Sequence, residues 1–410
     1  MPVPVWIMPR TTLRAGITTL GAALALICTT AATSSPTDTV PTADTVPATE
    51  SRTVSPDGRT VVAHSGPVQL REGGSWTPVD LTLAAGADGV VRPVATPHDL
   101  SLTARGPIVR FAGGGSAMLD VDLLQPGAAG RPLAEPSVAG NEAVYAQIAP
   151  GFDLVVDATR TGFAAAVRAA GPATGPAPQL RVVPVPDEAG AEAQPDGFRF
   201  ASGFASAFAP LVTADSAPAE PLGAAEAAAV APSAISRVAV SAPGTPVAFD
   251  TTVQSTVAGT DLSGDPDLRV GTYDGAAVAR SLLSFDVGGL GGRDVQRAVL
   301  RLHQEWSWSC TPAEWQVWTA APAAVETRWA TQPEAEQLWA ASGDTRGNQA
   351  ACAAGWSEVD VTDVVRAWTA AGTPTGSVLV RATDEASPAG WKRFGSGDGL
   401  FPPALEITLG

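Results

Sequence analysis

Val295-Gln-Arg-Ala-Val-Leu-Arg-Leu-His303 decides the fold class. In an extended chain Ala298, Leu300 and Leu302 fall on one face and Arg301 and His303 on the other, the period-two pattern of a half-buried strand. Working outward, Ser281–Phe285 alternates in the same way, and Trp315, Val317 and Trp318 mark another strand. Trp356–Val361 reads as a strand leading into a short helix over Thr362–Thr369, with Thr362 as N-cap and Val364, Val365 and Trp368 on one face. Ser377–Arg381 and Ala404–Leu409 read as closing strands. Many short strands separated by Gly/Pro turns predict an all-β sandwich. If the Val295 strand runs on unbroken, Trp306 and Trp308 share the parity of Leu300 and Leu302 and belong to the core. Trp329, Trp356 and Trp368 are read as core as well.

Upstream, turn signals recur between apolar runs: Asp57-Gly58, Gly73-Gly74, Asp88-Gly89 and Pro150-Gly151. Such pairs between alternating segments predict hairpins. The expected organisation is a signal segment over 1–32, a linker over 33–50, an N-terminal antiparallel β domain over 51–212, an Ala/Pro-rich linker over 213–246 and the C-terminal β-sandwich over 247–410.

The N-terminus carries the marks of export. Arg10 and Arg14 precede the apolar Ala15–Ile27, and Thr30-Ala31-Ala32 offers a small-residue cleavage site before a Thr/Ser/Pro-rich run. A lipoprotein anchor at Cys28 is the alternative, opposed by Ile27 where a small residue is expected. The apolar stretch is shorter than the ~20 residues of a membrane span, and no later segment is long enough either. The expected location is secreted, extracellular or cell-wall associated. After cleavage two cysteines remain, Cys310 and Cys352; an even count in an oxidising compartment favours a bridge over two buried thiols.

Composition narrows the function. The 410 residues carry 41 Asp and Glu against 25 Lys and Arg, a net charge of −16, and the single lysine is Lys392. Phosphate-binding Gly-Lys loops are thereby excluded. The acidic balance argues against a nucleic-acid partner.

The residues also resemble a known family. Asp250-Thr-Thr-Val-Gln-Ser255, Asp267-Leu-Arg-Val-Gly-Thr-Tyr273, Arg280-Ser-Leu-Leu-Ser-Phe-Asp286, Thr327-Arg-Trp-Ala-Thr-Gln-Pro333 and Pro403-Ala-Leu-Glu-Ile-Thr-Leu409 carry the likeness. They are similar to the DNRLRE domain, a jelly-roll β-sandwich also classed as carbohydrate-binding module family 96. The Cys310/Cys352 pair and Gly66-Pro-Val-Gln-Leu70, Trp76-Thr-Pro-Val-Asp-Leu81 and Gly151-Phe-Asp-Leu-Val155 resemble a secreted actinobacterial subset, in which these regions often precede RHS/YD repeats. The resemblance implies a non-catalytic module that binds a polysaccharide or cell-surface glycan. A structural or protein-interaction module left from an RHS-type protein is the alternative.

Candidate sites follow from chemistry. Nine of the 11 tryptophans lie in the C-terminal part, and an indole face can stack on a sugar ring while polar neighbours bind its hydroxyls. Tyr273, Trp339 and Trp391 lie in polar, loop-like stretches and are the expected ligand contacts, with Arg393 as polar partner. Polyanionic sugars would require a basic patch formed by Arg280, Arg381, Lys392 and Arg393. Asp261, Asp265 and Asp267 are candidate ligands for a structural calcium. Enzymatic chemistry is not expected: His303 and Glu305 share a strand face, but no Gly-x-Ser-x-Gly elbow accompanies them.

Overall fold

A computed structural model describes residues 48–111, 114–120, 132–170, 178–185, 192–194, 197–199, 205–208, 234–242 and 247–410. The expected signal segment lies outside these residues, as do the first linker apart from residues 48–50 and the second apart from residues 234–242. The described chain is almost entirely antiparallel β, with one α-helix, Thr362–Ala371. Among the described residues no helix is long and apolar enough to cross a membrane.

The N-terminal body is two facing sheets. One runs through strands between Asp80 and Leu119 and ends on Val182–Pro184. The other is built on Glu142–Ala149, Phe152–Ala158 and Gly162–Ala169. Leu100, Val109, Leu119, Tyr145, Leu154 and Phe163 fill the space between them. The Gly73-Gly74 turn joins Gln69–Glu72 to Ser75–Pro78, both glycines at positive φ, as a two-residue hairpin turn requires. One strand was not expected. Ala234–Ser241 pairs along Gly162–Ala169, inside the stretch whose composition reads as linker. Its Val238 and Val240 are buried, so the Ala/Pro bias nearby hid a short alternating run.

The C-terminal body is the expected sandwich. Trp315–Thr319, Thr375–Ala382 and Val278–Asp286 lie side by side in one sheet. Val295–Ser307 pairs with Ala404–Leu409, Gly355–Asp360 and Lys392–Gly395 in the other. Ala298, Leu300 and Leu302 point inward and are at most 1% exposed. The inward parity reaches Gln304 and then breaks. A register shift between Gln304 and Trp306 turns Ser307 inside and leaves Trp306 and Trp308 half-buried, so the unbroken-strand expectation fails at a β-bulge. The helix runs two residues beyond expectation, and its N-cap is Val361, not Thr362. The Thr362 hydroxyl instead accepts from Ala298 N at 2.9 Å, fastening the helix to the long strand.

The two bodies share strands and hydrogen bonds. Thr60–His64 from the N-terminal segment pairs with Ala404–Leu409 and extends the C-terminal sheet. Val61 and Ala63 enter that sheet's core. Arg160, in the turn before Gly162–Ala169, donates to Gly399 O at 3.0 Å and Pro67 O at 3.1 Å, and its own N–H reaches Asp398 O at 2.8 Å. Gly66 lies so close to Gly397 O that a β-carbon there would collide with backbone.

Cys310 and Cys352 form a disulfide with Cα atoms 5.7 Å apart. It ties the end of the long strand to the loop that precedes Gly355–Asp360. Inside that loop Asn348 donates to Ser307 O at 3.2 Å and Trp308 O at 2.9 Å. Replacing both cysteines by serine is expected to lower stability by about 2–5 kcal/mol. Urea unfolding of the two proteins measures this; an unchanged midpoint would mean that the Asn348 bonds hold the loop alone.

Candidate functional site

The strand Trp315–Thr319 buries Trp315 and Val317 in the core. Its other neighbour is the edge strand Leu338–Ser342, where the register slips between Val317 and Trp318. That irregularity accompanies Trp339, whose half-buried ring packs on the core rim with Nε1 3.4 Å from Thr319 Oγ1. Across from it lies the last turn of the helix. Val364 and Val365 hold the helix to the core, and Trp368 follows on the same side, partly buried. Gly372, at φ 66°, ends the helix, and Thr373 N–H returns to Trp368 O at 3.0 Å. Trp368 also covers Gly376, where a β-carbon would strike its ring.

Between the two indoles runs an open groove of about 540 Å³, whose walls include Thr319, Glu336, Gln337, Thr373, Thr375 and Ser377. Aromatic surface beside hydroxyl, amide and carboxylate groups suits a sugar, which presents apolar C–H faces and a rim of hydroxyls. Trp339 was a candidate from sequence. Trp368 was read as core, and Glu336 was not singled out. Trp368 is both: it packs against the core and lines the groove, and the helical period that marks its inner face gives no sign of the second role.

The other expected contacts do not join this groove. Tyr273 and Trp391 meet edge to face at 5.3 Å, and Trp391 is only 3% exposed. The 3₁₀ turn Pro388–Gly390 folds it inward. Arg393 pairs with Asp267 at 3.4 Å and lies over the Trp306 ring at 5.9 Å. No basic patch forms either. Arg280 makes two hydrogen bonds to Glu385, at 2.7 and 2.8 Å, which hold its pKa above the ordinary value. Lys392 is fully buried, donates to Thr345 Oγ1 at 3.0 Å, and is pulled down to about 8 by that burial. Arg381 stacks over Trp318 at 4.4 Å.

The three aspartates proposed for calcium each face a guanidinium: Asp265–Arg269 at 2.7 Å, Asp267–Arg393 at 3.4 Å and Asp261–Arg328 at 3.7 Å. Among the described residues no group of three or more His, Cys, Asp or Glu is arranged to hold a metal ion. Arginine already balances the charge that a cation would need to find. His303 stacks on Phe401 at 3.9 Å, with its Nδ1 3.9 Å from Glu305 Oε1; burial lowers its pKa.

With this geometry in view, comparison with known proteins adds one match, over the C-terminal part of the chain. Residues 244–408 match carbohydrate-binding module family 96. The groove and both its indoles lie inside the matched span. No curated protein matches the chain. Among solved structures, a crystal structure of an exo-beta-1,3-galactanase from Phanerochaete chrysosporium, with beta-1,3-galactotriose, aligns over 88% of this chain and 80% of its own at 9% identity. Its TM-score of 0.12 is too low for that likeness to bear on fold or function.

One further cluster escaped sequence reading because its members come from distant segments. Asp250 and Asp398 line a small enclosed cavity with Ser65, Gly66, Thr161 and Gly397. Asp250 Oδ2 accepts from Ser65 Oγ at 2.5 Å and Gly397 N at 2.6 Å. Asp398 accepts from the Thr161 hydroxyl. Burial pushes Asp250 up to about 7. Burial, followed by the neighbouring Asp250 carboxylate, raises Asp398 well above the usual range.

A folded-state pKa above the unfolded value means that the native chain keeps a proton that the unfolded chain releases. Asp250 therefore stabilises fully below about pH 4, and that contribution fades as pH rises to about 7. His64 and His98, held neutral by burial with pKa values near 4, tilt stability the other way over much of this range. Replacing Asp250 also removes the neighbouring charge that raises Asp398, so the contrast between wild type and Asp250→Asn reads the coupled pair while cancelling the histidines. The variant's deficit is expected to be largest near pH 4 and to shrink by roughly 4 kcal/mol at most by pH 7.5, at about 1.4 kcal/mol per pH unit. Urea unfolding across that range checks it; a deficit independent of pH would show that Asp250 is ionised in the native protein.

Proposed function

We propose that this chain is a secreted, non-catalytic carbohydrate-binding protein, and that the C-terminal sandwich holds a polysaccharide of the cell envelope or extracellular matrix in the Trp339–Trp368 groove. The observation that carries the reading is the pair of indoles bounding an open, hydroxyl-lined groove within residues 244–408, the span that matches the carbohydrate-binding family. The sugar ring would lie against an indole face while Thr319, Glu336 and Gln337 exchange hydrogen bonds with its hydroxyls. Both indoles are anchored on the core, so little side-chain freedom is lost on binding, which favours affinity. Export is supported by the N-terminal charge and hydropathy pattern and by a disulfide suited to an oxidising compartment.

Affinity electrophoresis of the full chain through gels containing soluble polysaccharides tests the proposal. At least one polysaccharide is expected to retard the protein, and Trp339→Ala to weaken that binding about tenfold or more, ~1.4 kcal/mol. Trp339→Phe, which keeps an aromatic face, should retain much of it. Equal retardation of wild type and Trp339→Ala, with both melting alike, would place the sugar elsewhere; retardation by no polysaccharide would end the proposal.

A further inference from the structure

We propose that Asp250 and Asp398 form a proton-dependent latch between the N-terminal β body and the C-terminal sandwich: protonated, the pair holds the seam shut, and ionised, it lets the seam open while both cores stay folded. The latch shares no residue with the Trp339–Trp368 groove, so it stands or falls independently of the carbohydrate reading.

Both carboxyls belong to the sandwich, Asp250 on the strand Phe249–Gln254 and Asp398 in the loop between Lys392–Gly395 and Ala404–Leu409. Each accepts a hydrogen bond from an upstream segment. Asp250 takes one from Ser65 Oγ at 2.5 Å, in the link to the N-terminal body, and Asp398 takes one from the Thr161 hydroxyl, in the turn before Gly162–Ala169. They share an enclosed cavity of about 20 Å³, room for about one water.

The charged groups around the pair are engaged elsewhere. Asp261 and Asp265, from the loop alongside, face Arg328 at 3.7 Å and Arg269 at 2.7 Å. The charge of Arg160 is felt at Asp398, but its guanidinium donates to the carbonyls of Gly399, Pro67 and Leu400. His64, next to Ser65, and His98, whose Nε2 lies 2.8 Å from Thr159 O, are held neutral by burial. Two carboxylates enclosed together need water or a paired cation before both ionise. The walls leave no place for more water: a β-carbon on Gly66 would strike Gly397 O, and one on Gly264 would strike the Ser241 side chain. The seam must part for the charges to be hydrated.

It can part alone because it is polar. Leu100, Tyr145 and Phe163 belong to one buried apolar cluster, and the sandwich, with Val61 and Ala63, has another. Across the cavity the link is made by hydrogen bonds: Arg160 N–H to Asp398 O at 2.8 Å, the guanidinium bonds and the two carboxyl bonds. Opening such a seam costs less than unfolding either core.

The closed seam keeps protons that the open seam releases. Asp250, pushed up to about 7 by burial, favours closure fully below about pH 4 and loses that effect as pH rises to about 7. Asp398, raised well above the usual range by burial and then by Asp250, extends the loss beyond neutrality. His64 and His98 act oppositely, favouring opening as pH falls below about 6.5. The latch is therefore tightest in mildly acidic surroundings and loosens in alkaline ones.

Hydrogen exchange of the full chain between about pH 6 and 8.5, read as protection factors that remove the intrinsic pH dependence, tests the latch. Opening of residues 159–162 and 396–401 in wild type, relative to the double variant Asp250→Asn, Asp398→Asn, is expected to rise about tenfold or more over that range; the histidines cancel in the ratio. Phe152–Ala158 and Val295–Ser307 should keep their protection. Asparagine retains an oxygen acceptor and the shape of a protonated carboxyl, so the double variant is expected to fold. Should it not, wild type decides alone: with ¹³C-aspartate, its infrared spectrum at about pH 6 should show a protonated-carboxyl band that fades as pH rises, since ordinary aspartates are ionised there. A ratio independent of pH would overturn the latch. So would absence of that band, as a cation held by the two carboxylates would cause, or equal loss of protection in the core strands.

Discussion

The pairing of Thr60–His64 with Ala404–Leu409 is the constraint on which the rest of the arrangement depends. An open edge strand presents unpaired N–H and C=O groups, and proteins cover such edges. Here the cover comes from the N-terminal part of the same chain. Once that strand is seated, Ser65 and Gly66 have one place to go, beside Asp250 and Gly397, and the Arg160 turn closes over Pro67 and Gly399. The boundary that composition draws between two β domains is therefore crossed by a strand and by a buried hydrogen-bond network. The C-terminal body owes part of its core, Val61 and Ala63, to residues more than 180 positions away.

Period-two alternation is a local signal, and it was legible both where one face is wet, as in Val295–His303, and where the polar residues are themselves buried, as in Ser281–Phe285. Val295–His303, Ser281–Phe285 and Ala404–Leu409 were read from it and are strands. It failed where the cause is not local. Nothing between Gln304 and Trp306 announces a bulge, yet the bulge decides which side the tryptophans take. Trp391 follows a Ser-Pro turn and precedes two cations, which suggested a surface loop; the turn instead folds it under Tyr273. The groove was half legible. Trp339 stands in a polar context that hints at exposure, whereas Trp368 carries the periodicity of a buried helix face and lines the groove all the same.

Charge shows the same division between composition and arrangement. An excess of acids over bases reads at once from the sequence, but not what the bases do. Arg160 binds three backbone carbonyls, Arg366 two, and Arg52 donates to Gly288 O. Others lie on indoles, Arg280 over Trp329 and Arg301 over Trp356. The planar, multi-donor guanidinium suits such work, and an ammonium does not, which accords with a chain of 24 arginines and one lysine. Arginines held in this way fasten loops to sheets and offer little to a ligand. The acids, by contrast, stay mostly at the surface, apart from the few enclosed between the two bodies. Burial removes charge of both signs from the surface: Asp250, Asp261, Asp265, Asp267 and Asp398 are buried, and so are Arg160, Arg269 and Lys392. A groove open to that surface meets a ligand through shape, stacking and hydroxyl hydrogen bonds.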